Sequence, residues 1–253
     1  MQNIDQWRPT KFVFDGAAWT TSPNRSEVHA SSRLMSDLMI GAYAAAIARH
    51  AKGRLADIGC GKAPLFGLYG DRVEEVVCID WPHTVHGTSF IDVYCDLNEA
   101  IDLPSAHVDT VICTDVLEHL HQPAVFFGEL ARICRPGGVV ILGAPYLYPI
   151  HEAPHDYCRH TEFSLRLLSE RAGLDVVELT PYGGGIQAVA VLFLKSIAGR
   201  SRILELVEPG VRRLSKLSMV RRFAQRHAAE LPLGYCLVAR KRAAEADRVS
   251  PPA

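Results

Sequence analysis

The stretch that most constrains this chain is Leu55 to Pro64, LADIGCGKAP, an apolar strand-like run that ends in an acid and enters a glycine turn. Gly59 and Gly61 have no Cβ to hold a ligand off the backbone, and such a turn opens a helix whose free N–H groups can face that ligand. Taken alone, a Gly-x-Gly turn is equally a plain strand-to-helix connection. The order of the elements after it decides between the two. From Arg54 the pattern alternates: a strand at 54–58, the turn, a short helix, then Val76 to Asp80, a continuous apolar run of the kind buried in parallel sheets. Asp80 lies 19 positions after Gly61, where a strand-tip carboxylate can accept both hydroxyls of a ribose. Trp81 offers a face either to an adenine or to ordinary packing. A third strand near Ile91 to Cys95 ends in Asp96, and a fourth, Val108 to Thr114, runs into Asp115. A helix is expected over Pro123 to Cys134, with proline in its first turn, stopped by Pro136, Gly137 and Gly138 before a fifth strand at Val139 to Leu142.

Composition bounds what this core can serve. With 253 residues, 48% hydrophobic and 22% charged, the chain can bury a full-sized core as one elaborated domain. A net charge of −1 gives no reason to expect a nucleic-acid backbone as partner. Seven scattered cysteines without a C-x-x-C pair, several inside apolar runs, predict small hydrophobes in a reducing cytoplasm rather than a disulfide framework. No apolar run approaches the roughly 18 residues of a spanning helix. Residues 1–50 read as an irregular stretch followed by a helix from about Val28 to His50, either a cap packed on the sheet or a lid over a pocket. The core built on this strand–helix alternation is expected over 51–242, with a helical insertion at 183–228 and a disordered tail at 243–253.

DIGCG, the strand-end Asp80, CDLN around Asp96, VDTVICTDVLEHL and RICRPGGVVILGAP together resemble class I S-adenosylmethionine-dependent methyltransferases over roughly residues 50 to 180, with a returning strand at 234–241. The resemblance implies an α/β fold: a doubly wound, mostly parallel seven-stranded, Rossmann-like sheet with helices on both faces and one antiparallel strand near the end. It also implies S-adenosyl-L-methionine as cofactor, with Asp57, Gly59 and Gly61 near its methionine part, Asp80 on the ribose and Asp96 near the adenine amino group. Cys60, Trp81, Leu97 and Thr114 complete the expected cofactor contacts. The family's usual third glycine is Ala63 here, followed by Pro64, which crowds the start of the first helix and displaces it. A dinucleotide is the rival ligand, but position 64, where its third glycine belongs, is proline. A methyltransferase-like binding module without chemistry is the other alternative, although such a module would be expected to lose the acids that this chain keeps.

Acceptor chemistry belongs in the loops at the carboxyl ends of the strands. DVLEHLH carries His119 and His121; APYLYPIHEAPHDYCRHT, at 144–161, carries His151, Glu152, His155, Asp156, Tyr157, Arg159 and His160. Thr161 is the expected N-cap of the next helix, with Phe163 to Leu168 as its packed face. The HDY run is similar to one in ubiquinone-pathway O-methyltransferases, and the longer HEAPHDYxRxT form resembles cell-envelope glycan-associated methyltransferases. A hydroxyl nucleophile must lose its proton, and histidine suits that task. We read His155 as the base, oriented by Asp156, with His151 and His119 as substitutes; the bland alternative is that His155 and Asp156 tie the loop through Arg159. The histidine and carboxylate spacing fits no zinc pattern, so no metal is expected. No N-P-P-Y turn and no Pro-Cys nucleophile are present, which leaves a small hydroxyl-bearing acceptor: a sugar, a quinol or a phenol.

The segment Gly183 to Arg226 exceeds the needs of the bare fold. A glycine hinge and the apolar run IQAVAVLFL precede residues 200–226, where eight basic residues stand against Glu205 and Glu208. Val211, Leu214, Leu217 and Val220 fall at helical spacing. The plainer expectation is a substrate lid with a solvated basic face; the sharper one is peripheral contact with the inner membrane face, suited to a lipid-linked acceptor.

Overall fold

The apolar runs of the sequence form one sheet whose residues turn alternately to two helical layers. A computed structural model describes residues 1–243; apart from Ala243, the expected tail lies outside the described residues. A hairpin of β1 (Phe12–Phe14) and β2 (Trp19–Thr21) precedes α1 (Ala30–His50). Then come β3 (Arg54–Ile58), α2 (Phe66–Tyr69), β4 (Glu75–Asp80), β5 (Val93–Tyr94), β6 (Val108–Thr114), α3 (Pro123–Ile133) and β7 (Cys134–Pro145). The chain closes with α4 (Glu162–Arg171), β8 (Leu174–Gly184), α5 (Ile186–Ser196), α6 (Ser201–Ser215), α7 (Ser218–Arg226) and β9 (Pro232–Lys241). The seven-stranded sheet has the order β5-β4-β3-β6-β7-β9-β8, parallel except that β9 runs antiparallel to β7 and β8. This is the doubly wound, Rossmann-like arrangement that the resemblance implies. After β3 the chain winds outward to β4 and β5 and returns to β6 on the other side, so the crevice between the carboxyl ends of β3 and β6 is the switch point where such sheets bind ligands.

The period of two along each strand divides the core. Leu55, Ile112, Ile141 and Val238 face one layer with Tyr43, Met39 and Val191, while Ala56, Val111, Val140 and Leu237 face the other with Phe126, Phe127 and Leu165. Both faces are covered, which is why these strands read as continuous apolar runs.

Several boundaries move for physical reasons. Residues 1–27 are not merely irregular: the Asp15 carboxylate accepts the N–H groups of Ala17 (2.9 Å) and Ala18 (2.8 Å), and Gly16 takes a positive φ, which together turn the β1–β2 hairpin. Gly183 and Gly184 are no hinge; they end β8, where Gly184 pairs with Pro232. On β7, Cys134 pairs with Val108 and the ladder resumes at Val139 opposite Thr110, so Arg135 to Gly138 bulge out against Asp109 alone. Gly138 is required there, since a Cβ would stand 2.9 Å from the Asp109 carbonyl oxygen. Thr161 caps α4 as expected, accepting the Ser164 N–H at 3.3 Å, but of the predicted packed face Leu165 is buried and Phe163 is 73% exposed.

Gly143, at the centre of the sheet, is where a layer helix approaches closest: a Cβ would lie 2.1 Å from the Tyr43 hydroxyl, which is fully buried. Gly143→Ala therefore forces Tyr43 aside and is expected to destabilise the fold by about 1–3 kcal/mol, the usual cost of overpacking. Urea unfolding followed by circular dichroism checks this, and an unchanged midpoint would show that Tyr43 yields freely.

Candidate functional site

A cavity of about 440 Å³ opens at the switch point, inside the roughly 300–1,000 Å³ range of small-ligand pockets. Its wall includes Asp57 at the end of β3, the turn Gly59 to Gly61, Thr114 and Asp115 after β6, and Glu118, Tyr148, His151 and Glu152 from the two loops expected to hold acceptor chemistry. Lys11, Phe12 and residues of α1 close the remaining side. The N-terminal segment is thus both packed and functional in position: Phe12 is buried in the core and also lines the cavity.

The glycine turn works differently from the simple expectation of free donors. Gly59 and Cys60 donate their N–H groups to the Ile79 carbonyl (2.8 and 3.2 Å), and Gly61 donates to Asp80 Oδ2 (2.6 Å). The turn is therefore stitched to the end of β4, and its residues Gly59 to Gly61 line the cavity. Gly59 at φ +69° and Gly61 at φ +49° need the left-handed region, and Ala63 occupies it too at φ +48°, holding a glycine's conformation with a side chain. As expected from Ala63 and Pro64, the helix start is displaced: α2 begins only at Phe66, is four residues long and has no side-chain cap.

Asp57 is almost fully buried and accepts the Tyr69 hydroxyl at 2.6 Å. Burial pushes its carboxyl up to about 7, the Tyr69 hydrogen bond opposes this, and the nearby Asp80 adds to it. Asp80, raised first by burial, has one oxygen on the Gly61 N–H and the other on its neighbour Trp81 N–H at 2.7 Å. Asp80, Trp81, Asp96 and Leu97 lie outside the cavity wall, whereas Asp57, Gly59, Cys60, Gly61 and Thr114 are in it. Two contacts lie between these halves. His86 stands against Gly61 and its Nε2 pairs with Glu152 at 3.2 Å, and the His155 ring meets Trp81 edge to face at 5.2 Å. Asp96 turns its Oδ1 to Asn98, accepting the backbone N–H at 2.9 Å and the side-chain amide at 3.0 Å.

The dense loop sorts its histidines. His155 is exposed, away from the cavity, with Nδ1 3.2 Å from the Tyr157 hydroxyl. Asp156 does not orient it. The Asp156 carboxylate binds the Arg159 guanidinium through both oxygens, which holds its carboxyl well below the usual range, and accepts the His151 N–H at 2.9 Å. Arg159 draws Asp156 under the loop and so presents it to His151, whose Nδ1 lies 3.3 Å from Asp156 Oδ2. His151 Nε2 points to Glu118 Oε1 at 3.6 Å, and His119 Nε2 approaches the same oxygen at 3.8 Å. Glu118 raises the affinity of His151 for its proton against the opposing effect of burial. His160 is buried with Nε2 on Cys158 Sγ (3.0 Å) and Nδ1 on Ser164 Oγ (3.1 Å), tying the loop to the start of α4.

Glu118 was the residue hidden in the sequence. It lies inside DVLEHL, yet only the histidines of that run looked chemical. Burial raises its carboxyl, and neither oxygen has a hydrogen-bond partner, so it faces the cavity as an unfilled acceptor. Asp115 and its partners were missed as well: Asp115 sits at φ +57°, accepts the Tyr43 hydroxyl at 3.2 Å and pairs with Lys11 Nζ at 3.4 Å. Backbone strain at Ala63, Asp115 and Glu152 is gathered around this one cavity. Glu118, His119 and His151 also bring ligand-type atoms within 4.8 Å of one another. With metal bonds of about 2.1 Å, that spread must contract before a cation is held.

Residues 56–142 match the methyltransferase domain family. Among curated relatives, a protein of Mycolicibacterium smegmatis named as a probable S-adenosylmethionine-dependent methyltransferase is 30% identical over 105 residues, 39% of this chain and 41% of that protein. A ubiquinone biosynthesis O-methyltransferase of Thiobacillus denitrificans is 27% identical over 158 residues, 50% of this chain and 66% of that protein. The chain thus spans about two fifths and two thirds of the lengths of these relatives. A solved S-adenosylmethionine-dependent methyltransferase from Mesorhizobium loti shares the fold at a TM-score of 0.54 and 14% identity, covering 82% of this chain and 100% of that one. The sheet order and this match give the chain the Rossmann-like methyltransferase fold, and the cofactor of the matched family is S-adenosylmethionine. The residues present fit that group: Asp57 offers a buried carboxyl on the cavity wall, and Gly59 and Gly61 line the same wall in a turn whose close packing on Val116 and His86 leaves no room for side chains.

Asp57 gives a direct measure of that fit. With a pKa of about 7 it is largely protonated in the free protein at about pH 6, and a ligand that brings positive charge beside it drives the proton off. Calorimetry with S-adenosylmethionine in two buffers of different ionisation enthalpy should show roughly 0.5–1 proton released per molecule bound. Asp57→Asn should remove the buffer dependence, and equal heats in both buffers for the unmodified protein would show that no cation approaches Asp57.

Proposed function

We propose that this protein transfers the methyl group of S-adenosylmethionine to a hydroxyl of a small acceptor, a sugar, quinol or lipid-linked glycan, with His151 as the general base. The observation that carries the reading is the position of His151: half-buried in the cavity wall, its backbone N–H held by Asp156, its Nδ1 3.3 Å from that carboxylate and its Nε2 facing the unfilled carboxylate of Glu118. The cofactor supplies an electrophilic methyl; the chain's part is to hold the acceptor in line with it and to take the hydroxyl proton. A hydroxyl that donates to Glu118 would satisfy the orphaned acceptor within the cavity that the glycine turn and His151 also line. The ubiquinone biosynthesis O-methyltransferases among the relatives support an oxygen acceptor.

Incubation with S-adenosylmethionine and separate panels of catechols, quinols and sugars, read by product mass, tests the reading. Methylated product from one panel is expected, and no product from any panel, despite cofactor binding, would leave a binding module. Against the productive acceptor, His151→Ala is expected to lower turnover about a hundredfold or more with cofactor affinity nearly unchanged. His155→Ala should have a much smaller effect on turnover, and a chelator none. A larger loss in His155→Ala than in His151→Ala would return the base to His155.

The pH profile provides a separate check. His151 must be neutral to accept a proton, and Glu118 raises its pKa, so activity should fall on the acid side at a pH above that of an ordinary histidine. Glu118→Gln removes the anion and should move that limb to lower pH. An unmoved limb would separate Glu118 from the base.

For the nucleoside, Asp80→Ala is expected to weaken binding of the demethylated cofactor by about 1.5–3 kcal/mol, the range for hydrogen bonds to a charged group. Since Asp80 also holds the Gly61 and Trp81 N–H groups, the melting temperature should be followed in parallel. Lost stability with intact affinity would reduce Asp80 to a tie for the turn.

A further inference from the structure

The insertion between β8 and β9 is not the lid over the substrate that its position suggested. Among the described residues, none from 183 to 228 lines the cavity. Instead α5 and α6 pack on α1, and α7 packs on α5, α6 and β8, and each leaves an apolar stripe uncovered. On α6, Ile203, Leu206, Gly210 and Leu214 follow a helical spacing and are exposed, Leu206 by 82% and Leu214 by 59%. The opposite stripe of the same helix, with Leu204 and Glu208, is buried. On α7, Met219 is 75% exposed and Phe223 is also exposed. Phe223 lies beside the start of α5, 3.6 Å from where a Gly185 Cβ would stand, and from there α5 carries exposed Ile186, Val189 and Phe193. An apolar surface running across three neighbouring helices exceeds the scattered apolar residues of an ordinary solvated face.

Charge identifies what covers it. Both acids of the 200–226 stretch are already used: Glu205 pairs with Arg25 at 2.7 Å, and buried Glu208 pairs with Arg212 at 3.3 Å. Arg212 in turn also binds Asp37 at 2.7 Å. Among the described residues, Arg202, Arg213, Lys216, Arg221, Arg222 and Arg226 have no carboxylate within ion-pair distance, and all are exposed. A second copy of this chain docked about a two-fold axis would set these cations against their own images. A surface that is apolar at the contact and negatively charged around it fits both features. We propose that the α5–α7 face docks on an anionic lipid bilayer, with the apolar stripes seated at the headgroup boundary and the unpaired arginines and lysine on the lipid phosphates. No described helix is long and apolar enough to cross a membrane, so the contact is peripheral.

The docking face is joined to the site. α1 packs on α5 and α6 while its Met35, Met39 and Tyr43 line the cavity. Arg25, held by Glu205 of α6, anchors the segment that contributes Ser26 to His29 to the cavity wall. On α5, Lys195 donates to the Tyr148 hydroxyl (2.5 Å) and to Ser32 Oγ (2.8 Å), two groups of that wall. A bilayer against these helices therefore lies one helix layer from the cavity.

Vesicle flotation tests the proposal directly, and it needs no acceptor or turnover. The full chain is mixed at low salt with vesicles of phosphatidylcholine alone or of phosphatidylcholine with phosphatidylglycerol. Flotation with the phosphatidylglycerol vesicles is expected, at least tenfold weaker on neutral vesicles or at high salt. The triple variant Arg213→Glu, Arg221→Glu, Arg222→Glu should lose at least tenfold in vesicle affinity, and Leu206→Ser with Met219→Ser should lose what binding survives added salt. Unchanged affinity for S-adenosylhomocysteine in both variants shows that they are folded. No flotation at low salt overturns the proposal. So does flotation that the charge reversals leave unchanged, or a vesicle-free dimer that Leu206→Ser with Met219→Ser abolishes.

Discussion

The buried carboxylate of Asp80 fixes the geometry on which the site depends. Its Oδ2 takes the Gly61 N–H and its Oδ1 the Trp81 N–H, so the tip of β4 and the turn after β3 are held as one piece. With Gly59 and Cys60 also bonded to the Ile79 carbonyl, three successive N–H groups of the turn are committed to the neighbouring strand. The turn then cannot fold over the crevice, and the left-handed residues within it remain affordable because the strand edge over-determines them. Asp57, two positions before Gly59, is left buried beside a second carboxylate, and burial first and Asp80 second push its carboxyl up to about 7.

Much of the sheet was legible in the chain. β3, β4 and β6 are continuous apolar runs with an acid or threonine at the tip, and a strand buried on both faces has no other pattern to show. The N-cap at Thr161 was equally plain, because its hydrogen bond is local. The hairpin of β1 and β2 was not: three-residue strands are too short to establish a period, and only the Asp15–Gly16 turn could have marked it. β8 ran through its glycines because β9 pairs with them across the sheet, a long-range fact that propensity cannot carry.

The site divides along the same line. Gly59, Gly61, Asp57 and Thr114 are placed by the fold itself, so the motif located them on the cavity. Which histidine of the 144–161 loop enters the cavity depends on a path set by Arg159, whose guanidinium binds Asp156 and the carbonyls of Tyr148 and Pro149. Nothing in the order HEAPHDY distinguishes His151 from His155 without that anchor. The Asp115 cluster was out of reach for a related reason: Tyr43 and Lys11 meet it from 72 and 104 residues away.

The pairs His86–Glu152 and Trp81–His155 bind the loop after β4 to the loop after β7, directly above the glycine turn. These loops belong to opposite halves of the crevice, one beside Asp80 and the other bearing His151. His86 stands beside Gly61, whose N–H Asp80 holds, and Glu152 is the immediate neighbour of His151. On the proposed reading, occupation of the first half would reach the wall of the second through the His86–Glu152 pair, and donor would then precede acceptor, an order that product-inhibition patterns would display.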